Sequence, residues 1–569
     1  MNPELLLVHF SRISGAPDAI PRLRQFVLEL AARGKLADRD PKDEPASEIL
    51  NCVQAEKDRR VREGQMKEQG PLPEVRPDEI WFDIPVSWCW ARLATITQVL
   101  MGQSPPGASY NKTGQGIPLI NGPVEFTEGP FGKTVINQYT TAPTNLCEKD
   151  DLLLCVRGST IGRTNIAGFR ACIGRGVAAI RPLFADQYVR LFIWRQRASI
   201  IAMGRGTMAF QSVRRKQIEE LPVPLPPLAE QHRIVTKVDE LMVLCDRLEK
   251  AQEERESRRD RLVAASLHRL NHADEKSKAQ AFREDSHFYL RQLPRLTTHP
   301  ESVKKLRQSI LNLAVSGLIA SRDPAEESAA ARLLLNDQLR QEKGREDHRA
   351  EVDRQPLLAA EDRWSVPSSW EWCALADLVL FIDYRGKTPN KVEKGVRLLT
   401  AKNVKKGFIN VWPEEFLSEP NYHSWMTRGL PKEGDVLFTT EAPMGNAAVI
   451  RLSERFALAQ RVICFRPYGA LDPDFLVLQL ISEPFQAILE KTATGLTAKG
   501  IKAAKLKRLP IAVPPLAEQR RIMAKVDELI TICEQLEAQL TTTQNESRRL
   551  LGSVLYHALN DGVEVELQP

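Results

Sequence analysis

The sequence predicts an α+β protein built by tandem duplication. A globular α/β domain and a long helix are written twice, with the two helices forming an antiparallel coiled coil under pseudo-two-fold symmetry. Three pairs of segments carry that expectation. PPLAEQHRIVTKVDELMVLCDRLE, beginning at Pro226, returns as PPLAEQRRIMAKVDELITICEQLE from Pro514, 288 positions later. RQFVLELAARGKLADRDP, from Arg24, returns as RQSILNLAVSGLIASRDP from Arg307, 283 positions later. IPVSWCWARL, from Ile84, returns as VPSSWEWCAL from Val366, 282 positions later. One order and nearly one offset mark a duplicated domain pair, since a period this long is no solenoid.

The elements follow in order. The lead segments are amphipathic. In the second, Leu306, Ile310, Leu313 and Ala314 share a helical face, and Gly317 is a C-cap. Both run into charged helical stretches, AEKDRRVREGQMKEQG and LRQEKGREDHRAEVDRQ, which read as solvated faces, with phosphate contact as the alternative. The next boxes hold Trp81, Trp88 and Trp90, then Trp364, Trp370 and Trp372. Tryptophans two apart after proline suit a short strand with alternating faces, and core packing suits these rings better than base stacking.

Residues of about 94–220 and 376–508 form the variable stretches. Gly, Pro, Asn and Thr turns separate short apolar runs, as in DDLLLCVRGSTIGRTNIAG and EGDVLFTTEAPMGNAAVI. These two runs share a plan: acidic turn, buried strand, polar turn near Gly162 or Gly445, second strand. Little else aligns. Basic and amide residues cluster near glycines in both. The first stretch offers Lys112, Arg157, Ser159, Thr160, Arg163, Arg175, Arg205, Thr207, Gln211, Ser212, Arg214 and Arg215. The second offers Arg385, Lys387, Lys402, Asn403, Lys405, Lys406, Glu441, Asn446, Gln460, Arg461, Lys499 and Lys502. Lysine and arginine neutralise phosphates, while Arg, Asn, Gln and Glu can read base edges. Any one of them alone reads as a solvated loop residue. Two sets in matched loops favour DNA.

The LAEQ segments are long helices started by Pro226-Pro227 and Pro514-Pro515. Leu228 to Asn271 as one helix spans about 65 Å, and Leu516 to Leu559 matches it, with Gly552 weakening its last turns. Ile234, Val238, Leu241, Cys245 and Leu248 make an a/d seam in the first. Ile522, Val526, Leu529, Cys533, Leu536 and Leu540 make it in the second. Such a stripe needs cover. The other copy is the simplest partner, and a second chain is the competing one.

The 569 residues are 43% hydrophobic and 27% charged, ordinary for a globular protein with real cores. A net charge of +6 and a pI near 8.7 permit a nucleic-acid partner without demanding one. Nine scattered cysteines form no CxxC pair, and the nine histidines show no ligand spacing beside them, which predicts a reduced, metal-free, intracellular chain. LLLVHF is too short for a signal-peptide core, and no apolar run approaches a membrane span. Enzyme motifs are missing too. GPFGKT, at Gly129 to Thr134, would need glycine at 127 to be a P-loop, and Thr127 stands there. There is no (N/D)PP(Y/F) of an amino-methyltransferase, no HExxH and no GxSxG. VDEL occurs twice, but on the seam helices.

Two variable domains, each followed by PPLAEQxRIxxKVDELxxxxCxxLE, resemble the specificity subunit of type I DNA restriction–modification systems. The RDP lead and the PSSWEWCAL box join the resemblance, which covers nearly the whole chain. It implies a helical lead over 1–80, target-recognition domains over 81–222 and 364–510, and conserved coiled-coil helices over 223–271 and 511–569. A linker and second lead fill 272–363. It further implies a cytoplasmic, non-catalytic subunit whose two recognition domains read the halves of a split double-stranded DNA site, spaced by the helices. Two methyltransferase subunits and two restriction subunits are the implied partners. S-adenosylmethionine, ATP and Mg2+ would be theirs, with no cofactor or metal on this chain. A self-contained DNA-modification enzyme and a protein–protein adaptor are the other readings. The linker from Asn271 to Pro300 has no counterpart after Leu559, so the two docking surfaces need not be equivalent.

Overall fold

The computed structural model describes residues 15–560 except 17, 67, 69, 185, 206–210, 272–283, 285–286, 290, 294, 324, 347–353, 385–388 and 496–498, and the side chains of 271 and 343–346. They form two compact units: Met1–Arg255 with Gln544–Pro569, and Glu256–Thr543. The long helices, Leu228–Asn271 and Leu516–Asn560, each begin in one unit and end in the other.

Each unit is built around a four-stranded antiparallel sheet. In the first, the order is Thr97–Met101, Val177–Pro182, Leu152–Cys155, Thr164–Ile166. In the second it is Val379–Asp383, Val462–Pro467, Val436–Thr439, Ala447–Val449. The two central strands of each sheet are predominantly apolar because both faces are covered. Alternate residues serve different cores. Leu152, Leu154 and Ile180 face the helices, whereas Leu153, Cys155 and Ala179 face a second sheet. Val436, Phe438 and Phe465 face the helices of the second unit, and Leu437 and Cys464 face its smaller sheet. That outer sheet has five strands in the first unit and three in the second. A salt bridge braces each central sheet: Arg181 to Asp151 and Arg466 to Asp435, both at 2.7 Å. The variable domains therefore share a whole scaffold, far more than the two aligned runs suggested.

The Trp boxes close each domain. Cys89–Arg92 pairs with Pro222–Leu225, and Glu371–Ala374 with Pro510–Val513, both antiparallel. Trp88 and Trp370 are buried, while Trp81 is exposed. Gly34 and Gly317, at φ 63 and 67, end the lead helices. A Cβ there would come within 2.7 and 2.6 Å of the Pro85 and Pro367 rings, so both turns require glycine.

The two lead helices, Ala19–Ala32 and Pro300–Val315, decide how the seams are covered. Ile234 and Val238 lie in one core with Val27, Leu28 and Ala31 of the first lead. Ile522, Val526 and Cys533 lie in one core with Val303, Ile310 and Ala314 of the second. Leu241, Leu529, Leu536 and Leu540 pack at the margins of these cores, and Cys245 is buried. Leu248 stands 46% exposed. The lead helix and the domain core thus supply the cover for which the bare helix needed a partner.

Each unit also fixes the sense of the long helices. In the first unit, Arg22 donates to the Arg548 carbonyl and Arg33 to Asn560, so the end of the second long helix runs parallel to the lead. Arg24 meets Asp246 at 2.8 Å, and Arg233 reaches back to the Asp38 carbonyl and Asp43, so the start of the first long helix runs against it. In the second unit, His299 and Lys305 meet Glu256 and Asp260, whereas Arg307 meets Glu537 and Arg521 meets the Ser321 carbonyl. Within each unit the two long-helix segments are antiparallel. Tyr289 and Leu296 add to the core at Val263, Leu267 and Leu270, so part of the linker packs on the end of the first long helix.

Candidate nucleic-acid interface

The LAEQ signature turns out to be a clamp between helix and Trp box. The Trp88 indole donates to Glu230 Oε2 at 2.9 Å, and the Gln231 amide donates to the Pro226 carbonyl at 2.8 Å. In the second copy the Trp370 indole lies beside Glu518, outside strict hydrogen-bond geometry, and Gln519 donates to the Pro514 carbonyl at 2.9 Å. Burial pushes both carboxyls above their usual range, and the indole pulls each back in part. The motif positions the domain on its helix.

A cleft of about 1020 Å³ opens on the first variable domain, where loops leave the two sheets. Ser104, Tyr110, Asn121, Arg157, Gly158, Ser159, Arg175, Gly176, Gln211 and Ser212 line it. The backbone fixes these loops against one another. Val156 N–H donates to the Gly176 carbonyl at 2.9 Å, Gly174 N–H to Ile120 at 2.8 Å, and Val213 N–H to Val156 at 2.9 Å. Arg157 bridges Ser212 across the cleft floor. Arg157 and Arg175 are exposed, and neither is in an ion pair among the described residues.

The second variable domain has a smaller cleft, of about 230 Å³, at the same place. Its backbone bonds repeat the pattern: Thr440 N–H to Arg461 at 3.1 Å, Ala459 N–H to Leu399 at 2.9 Å, Ile501 N–H to Thr440 at 3.0 Å, with Glu441 bridging Gly500. Thr400, Lys402, Gln460 and Arg461 are among its lining residues. Arg461 meets Glu441 at 2.8 Å. These bonds make Glu441 the counterpart of Arg157, Gln460 of Arg175, Arg461 of Gly176, and Lys499 of Gln211.

The family model described as "Type I restriction modification DNA specificity domain" matches this chain twice, at residues 85–256 and 367–543, each match holding one of these domains. The chain belongs to the type I restriction–modification specificity subunits. The EcoAI specificity subunit of Escherichia coli is 30% identical over 568 residues, covering 95% of this chain and 94% of that one. The EcoEI specificity subunit, also of Escherichia coli, is 27% identical over 580 residues, with 95% and 94% covered. A solved chain described under "complex assembly and conformational transition of the type I R-M system" covers 85% of this chain and 100% of its own, at a TM-score of 0.50 and 17% identity. It shares the fold. As a specificity subunit, the protein carries two tandem DNA-recognition domains.

The sites read from sequence divide accordingly. The clefts of this specificity subunit gather Arg157, Ser159, Arg175, Gln211 and Ser212 in one domain, and Lys402, Gln460 and Arg461 in the other. Lys112, Arg205, Arg214, Lys406, Lys499 and Lys502 are exposed on loops and turns, and Thr160 and Lys405 are half-buried. Thr207, Arg385 and Lys387 lie outside the described residues. Two residues hold loops together. Asn403 is buried; its Oδ1 accepts from Thr400, and its Nδ2 donates to the Asn410 and Pro413 carbonyls. Asn446 Nδ2 donates to the Val404 carbonyl at 2.9 Å. Arg163 is half-buried and reaches the Phe126 carbonyl. Sequence reasoning passed over Tyr110 and Asn121 in the first cleft, and the exposed Phe408 and Trp412 of the second domain. An aromatic beside glycine and lysine, as in KKGFINVW, was the available signal. Among the described residues no helix is long and apolar enough to cross a membrane.

Proposed function

We propose that each recognition domain reads one half of a bipartite double-stranded DNA site, and that the long helices space the halves and dock two methyltransferase subunits. The chain is non-catalytic in this reading and works in the cytoplasm. Two restriction subunits complete the nuclease, and the S-adenosylmethionine, ATP and Mg2+ chemistry lies in the partners. The carrying observation is the pair of clefts: one backbone, two sets of polar side chains. A shared scaffold with different lettering suits a duplex whose two half-sites differ in sequence, because base edges specify while phosphate contacts position. The antiparallel helices suit a pseudo-two-fold partner arrangement.

The test is methyl transfer. Pure chain, S-adenosylmethionine and duplex DNA should give no methylated base. Adding the methyltransferase subunits should give methylation at one bipartite sequence. Transfer by the chain alone would establish a self-contained modification enzyme, and a reconstituted complex without sequence preference would leave the adaptor reading.

A further inference from the structure

We infer that matched loop positions read different bases: Arg157 and Arg175 each take the guanine of a G·C pair in the first half-site, while Glu441 takes a cytosine amino group and Gln460 an adenine in the second. This rests on both domains being duplex readers.

The assignment follows from the paired backbone bonds. Because the loops are held by the same bonds, residues 157 and 441, and likewise 175 and 460, occupy the same place on their loops. What differs is hydrogen-bonding character. Guanidinium matches guanine O6 and N7, a primary amide matches adenine N6 and N7, and a carboxylate accepts from cytosine N4. A carboxylate at this place has a cost that arginine does not, since phosphate charges repel it. The second domain offsets that cost at the neighbouring position. Arg461 stands 2.8 Å from Glu441, with both side chains 40% or more exposed, so the pair is neutralised while oxygen lone pairs stay open to the groove. The first domain has Arg157 and needs no counter-ion, and the position of Arg461 is there Gly176. The two changes compensate each other.

The experiment uses the full chain reconstituted with its methyltransferase subunits. A randomised duplex library is methylated and the modified bases are sequenced. Arg175→Gln should turn one guanine of the first half-site into adenine and leave the second half-site unchanged. Gln460→Arg should turn one adenine of the second half-site into guanine and leave the first unchanged. Each change should reverse a preference of roughly 5- to 150-fold, the range of one bidentate contact. Variants that keep the wild-type motif would overturn the assignment, with the DNA-reading function intact. A wild-type complex that methylates without any motif would overturn the DNA reading itself. Should either variant lose methylation, Arg157→Ala decides: it must relax one G·C position of the first half-site and no other. Relaxation elsewhere, or nowhere, contradicts the inference.

Discussion

Asn403 and Arg461 stand in the same domain, both polar loop residues by sequence, yet their burial gives them opposite roles. Asn403 satisfies four partners from inside a loop, two through Oδ1 and two through Nδ2. Asn403→Asp would face the Asn410 and Pro413 carbonyls with a carboxylate, losing two donors at roughly 1–3 kcal/mol each. We expect the second domain to lose about 2–4 kcal/mol in urea unfolding, whereas exposed Arg461→Ala should change stability by less than about 0.5 kcal/mol. Glu230 makes a second residue-scale case. Its Oε1 is buried with no hydrogen-bond partner among the described residues, and burial carries its pKa above the ordinary 4.5. A carboxyl raised in the fold binds its proton more tightly when folded. Its stabilising protonation is complete below the unfolded pKa and lost as pH rises through the folded one, leaving the full penalty at pH 7. Glu230→Gln keeps an acceptor for Trp88, so its thermal midpoint should exceed wild type at pH 7 and fall back to it near pH 4. Equal gains at both pH values would mean that burial of charge is not the cause.

The long helices were legible as elements because their 4-3 apolar seam survives the duplication, from Ile234 and Val238 to Ile522 and Val526. What covers that seam was not legible. A stripe states that it must be buried and carries no address, and here the lead helices answer it. Ile234→Ala and Ile522→Ala remove equivalent buried side chains, and each should cost about 2–5 kcal/mol. Similar losses in urea titrations would confirm that the copies are packed alike. The helix segment between Glu249 and Glu256 joins the parts held by Arg24 and by His299. Inserting four residues there lengthens the helix by about 6 Å. One base pair occupies about 3.4 Å of duplex. Sequencing of the methylated sites should therefore show a spacer longer by one or two base pairs with both half-sites kept. An unchanged spacer would remove the helices as the ruler.

At the scale of the whole chain, the duplication was readable from three short blocks, while the common scaffold of the variable domains was not. Sheets keep their order through the alternation of apolar residues, and Val, Leu, Phe, Ala and Ile exchange freely in that role. Thr97–Met101 and Val379–Asp383 share position and register but no residue identity. The clefts were hidden for the same reason: Arg175 and Gln460 correspond only once the backbone bonds of Gly174 and Ala459 are seen. The central claim is that one frame is used twice, with a separate reader in each copy. Its most direct test replaces residues 94–220 with a second copy of residues 376–508. The chain is assembled with methyltransferase subunits, and the modified bases are sequenced. If the helices present the two readers as the proposed function has it, two equal readers should methylate an inverted repeat of the second half-site. Retention of the original asymmetric site, or methylation governed by a single half-site, would contradict the account.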